Sequence, residues 1–374
     1  MSGIYLHIPF CKQACSYCDF YFVTRTSERE HFVQRLVKYI NSYKGSKFAE
    51  ETVETIYFGG GTPSLLEPSQ LEQIMEALHD IFDINEREIT LEMNPDDVSA
   101  QFLADLKSLG ISRASMGVQS FEPELLEFMH RAHSSEEALQ CLELLSASDF
   151  NSFTVDLIYG NPGQSEEQLE RDINKLLEFD PPHISAYSLT IEPKTRLGKQ
   201  VELGRLAPPE DDKVAKHFDL INRRFNSYGI ERYEVSNYSL PGKEAIHNSS
   251  YWEHNNYLGL GPGAHSFWWD ESAERWENEQ DLRKYLRDED QPEREELSLN
   301  QLAEERLMMG LRTRKGIKKR ELSERYDYKL SSRQLDYLKN REQEGKVELD
   351  EKITLTDDGI KIADAIILDL VTLH

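Results

Sequence analysis

The sequence predicts an α/β protein: six strand–helix repeats forming a parallel sheet or open barrel, then a smaller α+β domain. Three observations carry this. Short β-branched and aromatic runs alternate with stretches whose apolar residues recur at spacings of three and four. The residues of unusual chemistry fall just after the strands. Near residue 298 the pattern changes to helices in series that end in a hairpin.

Taken in order, "GIYLHI" is a short strand, and "SEREHFVQRLVKYINSY" a helix with Ser27 and Glu30 as a capping box. "TIYFGGG" is a strand running into a glycine turn, and "PSQLEQIMEALHDIF" a helix. "EITLEMN" is the third strand. The helix "AQFLADLKSLG" follows, with Gly110 placed just past its end. "RASMGVQ", "FTVDLIYG" and "HISAYSLTI" are strands four to six, separated by the helices "SSEEALQCLELLSA" and "SEEQLERDINKLLEF". Such βα repeats imply parallel strands, and ligands on that scaffold bind at the strands' C-terminal ends. Beyond residue 195 the alternation fails: one more helix, "DDKVAKHFDLINRRFNSYG", precedes a strand, "IERYEVSNY". Residues 241–290 read as irregular and aromatic-rich. The last segment holds the helices "LNQLAEERLMMGLR", "KKRELSERY" and "SSRQLDYLKNREQEG", the hairpin "KVELDEKITLT" and a final helix, a winged-helix-like grammar.

At 374 residues the chain has room for a large domain and a smaller one. It has no apolar run of about 18 residues, so no membrane span is expected. Its start lacks the charged and apolar regions of a secretory signal. Four cysteines make no disulfide framework, and a reducing, cytoplasmic compartment is expected. The net charge of −25 argues against a general nucleic-acid partner. Residues 301–374 carry fifteen Lys or Arg and fifteen Asp or Glu, so the whole excess lies in residues 1–300. The winged grammar and the basic run "RTRKGIKKR" suggest DNA binding, but that balance of charge weighs against it.

Cys11, Cys15 and Cys18 fall within eight residues, in "CKQACSYC". Cys141, on the apolar face of a helix, reads as a small core residue. A closed zinc site wants four ligands, and no fourth Cys or His stands at a matching spacing. Residue 20 is Phe, and His7 lies in the preceding strand. A [4Fe–4S] cluster normally takes four thiolates, so three leave one iron open for a substrate or cofactor. Gly59-Gly60-Gly61 at the neighbouring strand end lets the backbone approach a ligand closely.

Together these motifs resemble those of the radical S-adenosylmethionine (SAM) enzymes. The resemblance implies a [4Fe–4S] cluster on Cys11, Cys15 and Cys18, with SAM on the open iron. It also implies reductive cleavage of SAM to a 5′-deoxyadenosyl radical, chemistry that belongs to the cofactors. The fold it implies is a partial, open, TIM-like (β/α)6 barrel in residues 1–240. An aromatic-rich connecting or cap segment would then occupy 241–295, and a winged-helix-like α+β domain 296–374.

"YLHIPFC", "GGGTP", "EMNPDD", "SMGVQSF" and "VDLIYGNPGQ" narrow the resemblance to the oxygen-independent coproporphyrinogen III oxidase family. Carried over, Tyr5 supports bound SAM, and Gly60, Gly61 and Thr62 hold its methionine portion. Glu92 is a SAM-contacting carboxylate, and Tyr17 a backbone contact. Gln119, Arg131 and Asp156 match positions that hold a second SAM in the decarboxylase. Read alone, these residues have plainer roles: Glu92 as a strand-end partner of Arg113, Asp156 as a buried cap, Arg131 as a surface residue.

Two departures point to a sister branch. Asp19 and Phe20 stand where the decarboxylases carry Gly-Cys, and only ten residues precede Cys11, where those enzymes have a longer N-terminal region. The loop Cys-x3-Cys-x2-Cys-x-Phe resembles that of the HemW-type heme chaperones. "HNSSYW", residues 247–252, fits the His-Asn-x-x-Tyr-Trp pattern associated there with heme binding. Imidazole is a good axial ligand and aromatic rings suit a porphyrin face, although aromatic clusters also simply pack. His247 is therefore the candidate heme ligand, with His265 as its rival. The expected function is binding heme and delivering it to apo-hemoproteins such as respiratory cytochromes. SAM cleavage is expected and coproporphyrinogen III turnover is not; a homodimer and transient membrane association are also implied. The alternatives are the decarboxylase itself and a structural zinc or transcription-factor role.

Overall fold

The computed structural model describes residues 2–289 and 292–373. Its first six strands are β1 (Ser2–Ile8), β2 (Val53–Gly60), β3 (Ile84–Met93), β4 (Arg113–Gln119), β5 (Ser152–Tyr159) and β6 (His183–Ser188). They lie side by side in chain order, all parallel. Because side chains alternate across a strand, register sorts every residue onto one of two faces. One face carries Ile4, Leu6, Ile8, Ile56, Phe58, Leu91, Met116, Val118, Val155 and Ile184, all buried in the main core. Phe32 and Leu36 of the helix Arg29–Asn41 and Leu71, Ile74 and Leu78 of Pro68–Ile81 belong to the same core.

The opposite face is polar. Tyr5 pairs with Tyr57, and Tyr57 with Thr90. Glu92 pairs with Ser115, Ser115 with Thr154, and Asp156 with Ser185. A filled eight-stranded barrel packs its interior with branched apolar residues. Here the concave face is built of hydroxyls, carboxyls and an arginine, which makes it a lined cavity.

The sheet does not close on itself. Beyond β6 it continues through β7 (Glu231–Arg232) and β8 (Asn237–Ser239); beyond β1, through β9 (Asn256–Leu260), β10 (His265–Trp269), β11 (Ala273–Glu277) and β12 (Arg294–Leu297). The order is β12-β11-β10-β9-β1-β2-β3-β4-β5-β6-β8-β7, with β9 parallel to β1. The segment expected as an irregular cap therefore supplies the helix Ile246–Trp252 and three strands of the main sheet. The expected single strand "IERYEVSNY" is two short ones, because the chain reverses at Glu234, whose carboxylate accepts from Ser236 N at 3.3 Å.

The C-terminal part holds the helices Leu299–Leu311, Lys319–Arg325, Ser332–Gln343 and Ala363–Thr372. Strands β13 (Ile317–Lys318), β14 (Val347–Leu349) and β15 (Lys352–Leu355) form a sheet in the order β13-β15-β14, one strand more than the expected hairpin. Local signals held to different degrees. Gly110, at φ +84°, closes the helix Ala100–Ser108: its N–H bonds Lys107 O and that of Ile111 bonds Leu106 O, a Schellman end. The Ser27–Glu30 capping box does not form. Ser27 sits in a 3-10 turn, Thr26–Glu28, and Glu28 begins the helix with no side-chain cap.

Candidate functional site

The loop after β1 carries the three thiols and is fixed by backbone contacts, with every cysteine free. Cys11 N donates to Val23 O at 3.0 Å, and Ser16 N to Met129 O at 3.0 Å, at the end of the helix Pro123–Met129. Ser16 Oγ donates to Phe128 O, and Gln13 Nε2 to His130 O. Burial pushes the Cys11 thiol up to about 11 and the Cys18 thiol up to about 12. Ligands to a metal must be deprotonated, so these thiols would become thiolates only as a metal binds and their protons are released to solvent. Thr62 Oγ1 donates to Cys11 Sγ at 3.7 Å, and Arg131 Nη1 to Cys15 Sγ at 3.3 Å. Both donors suit a sulfur that carries negative charge. Among the described residues no three His, Cys, Asp or Glu side chains converge as ligands of one ion. A cubane takes each thiolate on a different iron, so its ligands stand farther apart. Three free thiols on one pinned loop fit that group.

The turn after β2 forms a cradle. A Cβ on Gly59 would stand 2.8 Å from the Tyr57 ring, 3.0 Å from the Tyr5 ring and 3.2 Å from Glu92 Oε1. A Cβ on Gly61 would stand 2.7 Å from Phe10 O. Gly60 adopts φ +107°, and its N–H donates to Glu92 Oε2 at 3.2 Å. Tyr57 Oη donates to Glu92 Oε1 at 2.7 Å. Glu92 is pushed up to about 7: burial raises it, Asp156 adds repulsion, and the two hydrogen bonds pull it back. Among the described residues it pairs with no arginine; Arg113 instead donates to Ser152 Oγ at 3.3 Å and to Thr154 Oγ1. Tyr5 lies over Tyr57, ring centroids 6.0 Å apart, and its hydroxyl meets His7 Nδ1 at 3.2 Å. His7 Nε2 bonds Tyr21 O at 2.8 Å and so carries the proton, which makes Nδ1 the acceptor.

Gln119, Arg131 and Asp156 extend the site across β4 and β5. Gln119 ends β4 at φ +68°, a left-handed backbone unusual for a residue with a side chain, and its buried Oε1 has no partner among the described residues. Arg131 is no surface residue. Its Nη2 donates to Asn94 Oδ1 at 2.6 Å and Gly117 O at 2.7 Å, its Nη1 to Tyr17 Oη at 3.4 Å, and its buried Nε has no partner among the described residues. Asp156 is pushed up to about 6 by burial, against Ser185, Arg113 and Arg131. Unpaired buried polar atoms are costly. Gln119 Oε1 and Arg131 Nε, both left without a partner among the described residues, are available to a polar ligand beside the cysteine loop.

His247 stands at the other end of the strands. A Cβ on Gly3 would lie 3.2 Å from its ring, at the start of β1, whereas the cysteines follow the end of β1. Five residues of strand separate those levels, roughly 17 Å. His247 Nδ1 meets Thr55 Oγ1 at 2.8 Å, Nε2 meets Tyr251 Oη at 2.7 Å, and the ring stacks on Tyr57 at 5.1 Å. Both nitrogens are therefore engaged. Burial lowers this imidazole to about 3, which keeps it neutral. His265 is the more open imidazole, 55% exposed and 3.7 Å from Glu277.

Sequence reading passed over Tyr57, Asn94, His183 and Tyr187. Each sits on or beside the polar face, and the signal was present: Thr55-Tyr57, Glu88-Thr90-Glu92, Arg113-Ser115, Thr154-Asp156 and His183-Ser185-Tyr187 alternate with apolar residues. Parallel strands buried on both faces read as continuous apolar runs. A polar period of two within them announces a lined cavity.

Residues 5–176 match the radical SAM superfamily, and residues 297–362 the HemN C-terminal domain. The chain is 33% identical over 369 residues to the heme chaperone HemW of Bacillus subtilis, spanning 96% of each chain. It is 37% identical over 266 residues to the heme chaperone HemW of Escherichia coli, covering 70% of this chain and 69% of that one. The structure superposes on the coproporphyrinogen III oxidase HemN of Escherichia coli, a radical SAM enzyme. The TM-score is 0.85 and the sequence identity 22%, over 99% of this chain and 90% of that one, a likeness of fold.

Proposed function

Because this chain belongs to the heme chaperone HemW family of the radical SAM superfamily, we propose that it binds heme and hands it to apo-hemoproteins, with a [4Fe–4S] cluster and SAM as its working parts. The observation that carries this reading is the convergence at one strand end of three free thiols, a glycine cradle and a buried carboxylate, on a chain 33% identical over nearly its full length to a heme chaperone.

In this reading Cys11, Cys15 and Cys18 hold the cluster, which when bound supplies the electron for reductive cleavage of SAM. Gly60, Gly61 and Thr62 leave room for the methionine portion of SAM, and Tyr5 backs it. Glu92 meets its cationic part. Gln119, Arg131 and Asp156 offer further polar contacts, enough for a second SAM, and Tyr17 completes the wall. Phe20, 69% exposed two residues after Cys18, occupies the place where the decarboxylases carry a further cysteine. The parts 1–240, 241–295 and 296–374 serve as catalytic scaffold, connector and accessory domain. Respiratory cytochromes are the proposed acceptors, met by a dimer that works in the cytoplasm and approaches the membrane transiently. No helix among the described residues is long and apolar enough to cross a membrane.

Heme titration of the anaerobically reconstituted protein tests the reading. A saturable absorbance change is expected, with no conversion of coproporphyrinogen III under reducing conditions with SAM. His247→Ala should weaken the change at least tenfold if His247, freed from Tyr251, is the ligand. The loss should fall on His265→Ala if the open imidazole is. Absence of heme binding together with clean turnover would replace the chaperone by the decarboxylase.

A further inference from the structure

Asn94, the first residue past β3, occupies a place that usually commits its side chain. It is the N-cap of the 3-10 turn Pro95–Asp97, yet its carboxamide makes no cap bond. Asn is a preferred N-cap because its side-chain oxygen satisfies a free N–H. Here the turn is fixed without it. Asp97 N donates to Asn94 O at 3.1 Å, and Asn94 N to Ser64 Oγ at 3.4 Å. Pro95 keeps the Asn94 backbone extended. The carboxamide turns toward the cysteine loop instead.

Its two ends meet different partners. Oδ1 accepts from Arg131 Nη2 at 2.6 Å, and Nδ2 donates to Thr62 Oγ1 at 3.1 Å. A guanidinium offers donors only, so the end facing it must be the oxygen. Thr62 Oγ1, accepting from Asn94, is left to direct its own proton at Cys11 Sγ, 3.7 Å away. Arg131, held also by Gly117 O at 2.7 Å, turns Nη1 to Cys15 Sγ at 3.3 Å. One side chain therefore braces two sulfur donors from behind. The bracing bonds involve no sulfur, so they do not depend on what the sulfurs hold.

We propose that Asn94 is a positioning residue for the cluster: its carboxamide aims the Thr62 hydroxyl and the Arg131 guanidinium at the sulfurs of Cys11 and Cys15, and through them raises the cluster's reduction potential. This rests on the [4Fe–4S] reading of the three cysteines. Hydrogen bonds to the sulfurs and the net charge of the cluster are among the terms that set such a potential. The reduced cluster carries one more negative charge than the oxidised one, so donors and a nearby cation favour it. Their loss must move the potential to more negative values.

The test is a redox titration of the full chain, reconstituted anaerobically and free of SAM, followed by the magnetic signal of the cluster. Asn94→Leu keeps the volume and loses both hydrogen bonds. Its ratio of reduced to oxidised cluster at a fixed potential should fall at least tenfold, a shift of about 59 mV for a one-electron couple. The double variant Thr62→Val/Arg131→Gln removes the donors directly and should shift the potential at least as far. Adding Asn94→Leu to that pair should shift it no further, because Asn94 acts only through them. Ser64→Ala loosens the same turn, touches neither donor, and should titrate with wild type. Where Asn94→Leu holds no cluster, Asn94→Ala decides by the same shift, and equal loss of the cluster from both Asn94 variants and the double variant agrees with the proposal. The proposal is overturned if an Asn94 variant with a full complement of iron titrates with wild type, or if Ser64→Ala shifts the potential as far. It is also overturned if both Asn94 variants lose the cluster while the double variant keeps it, since Asn94 would then act on something else. Failure of wild type itself to take up iron and sulfide would instead remove the [4Fe–4S] reading.

Discussion

At the scale of single residues, the site stores its cost in buried carboxyls. Glu92 titrates near 4.5 when unfolded and near 7 in the fold, because burial outweighs the hydrogen bonds from Tyr57 and Gly60 N. A raised carboxyl is protonated in the folded state while still ionised in the unfolded one, so between those values the folded chain binds more protons. Stability must therefore fall as pH rises through that window. The gap corresponds to about 3 kcal/mol. Tyr5, Tyr57, Tyr187 and Asp156 all face Glu92, and none of them supplies a compensating positive charge. Glu234, also pushed up to about 7, acts with the same sign, so variant and wild type must be compared. Urea unfolding of the protein without SAM from pH 4.5 to 7.5 should show Glu92→Gln losing about 3 kcal/mol less stability than wild type over that range. Parallel profiles would contradict the assignment.

At the scale of elements, much was legible and the gaps have physical causes. The six βα repeats show in local periodicity, and Gly110 shows its helix end, because both signals lie within a few residues. Strand β9 could not be read: "NYLGL" acquires its place only by pairing Asn256 with Ser2, across most of the chain. The cysteine loop and the glycine turn are contiguous motifs and were visible. Tyr57 and Tyr187 were not, since their place on the polar face comes from cross-strand register. The helix Ile246–Trp252 shows the same limit. Its N-cap, Ala245, offers no side-chain acceptor, and the cap comes from another element. Glu88 on β3, buried, accepts from Ile246 N at 3.0 Å and from His247 N at 2.9 Å. A carboxylate at a helix N-terminus satisfies free N–H groups and favours the helix dipole. Glu88→Ala should cost about 2–3 kcal/mol by leaving two buried donors unmet, and Glu88→Gln about half as much. A Glu88→Ala unfolding midpoint within error of wild type would show that the helix is held by its aromatic contacts alone.

At the scale of the whole molecule, the question is whether the C-terminal part is an independent body or one with the barrel. The buried apolar residues answer through continuity: a single core cluster runs from Ile4 to Leu370. The seam between the sheet and the C-terminal helices is bonded as well as packed. His254 stacks on Phe267 at 4.6 Å and on Tyr326 at 5.9 Å. Arg275 Nη1 pairs with Glu305 at 2.7 Å, Arg306 Nη1 donates to Trp252 O at 2.9 Å, and Arg325 Nη2 donates to His254 O at 3.1 Å. Domains that move freely meet across modest polar interfaces. Here the aromatic ring of one part lies between rings of both, and strand β9 binds the connector to β1. Heating should therefore give one cooperative transition by calorimetry, with calorimetric and van't Hoff enthalpies in agreement. Two resolved transitions would mean that the seam opens before the barrel melts. Arg306→Ala makes the point sharper. It removes a nearly buried guanidinium that joins Glu321 to the Trp252 carbonyl, so it should lower that single transition without splitting it, because the apolar continuity beneath the seam remains.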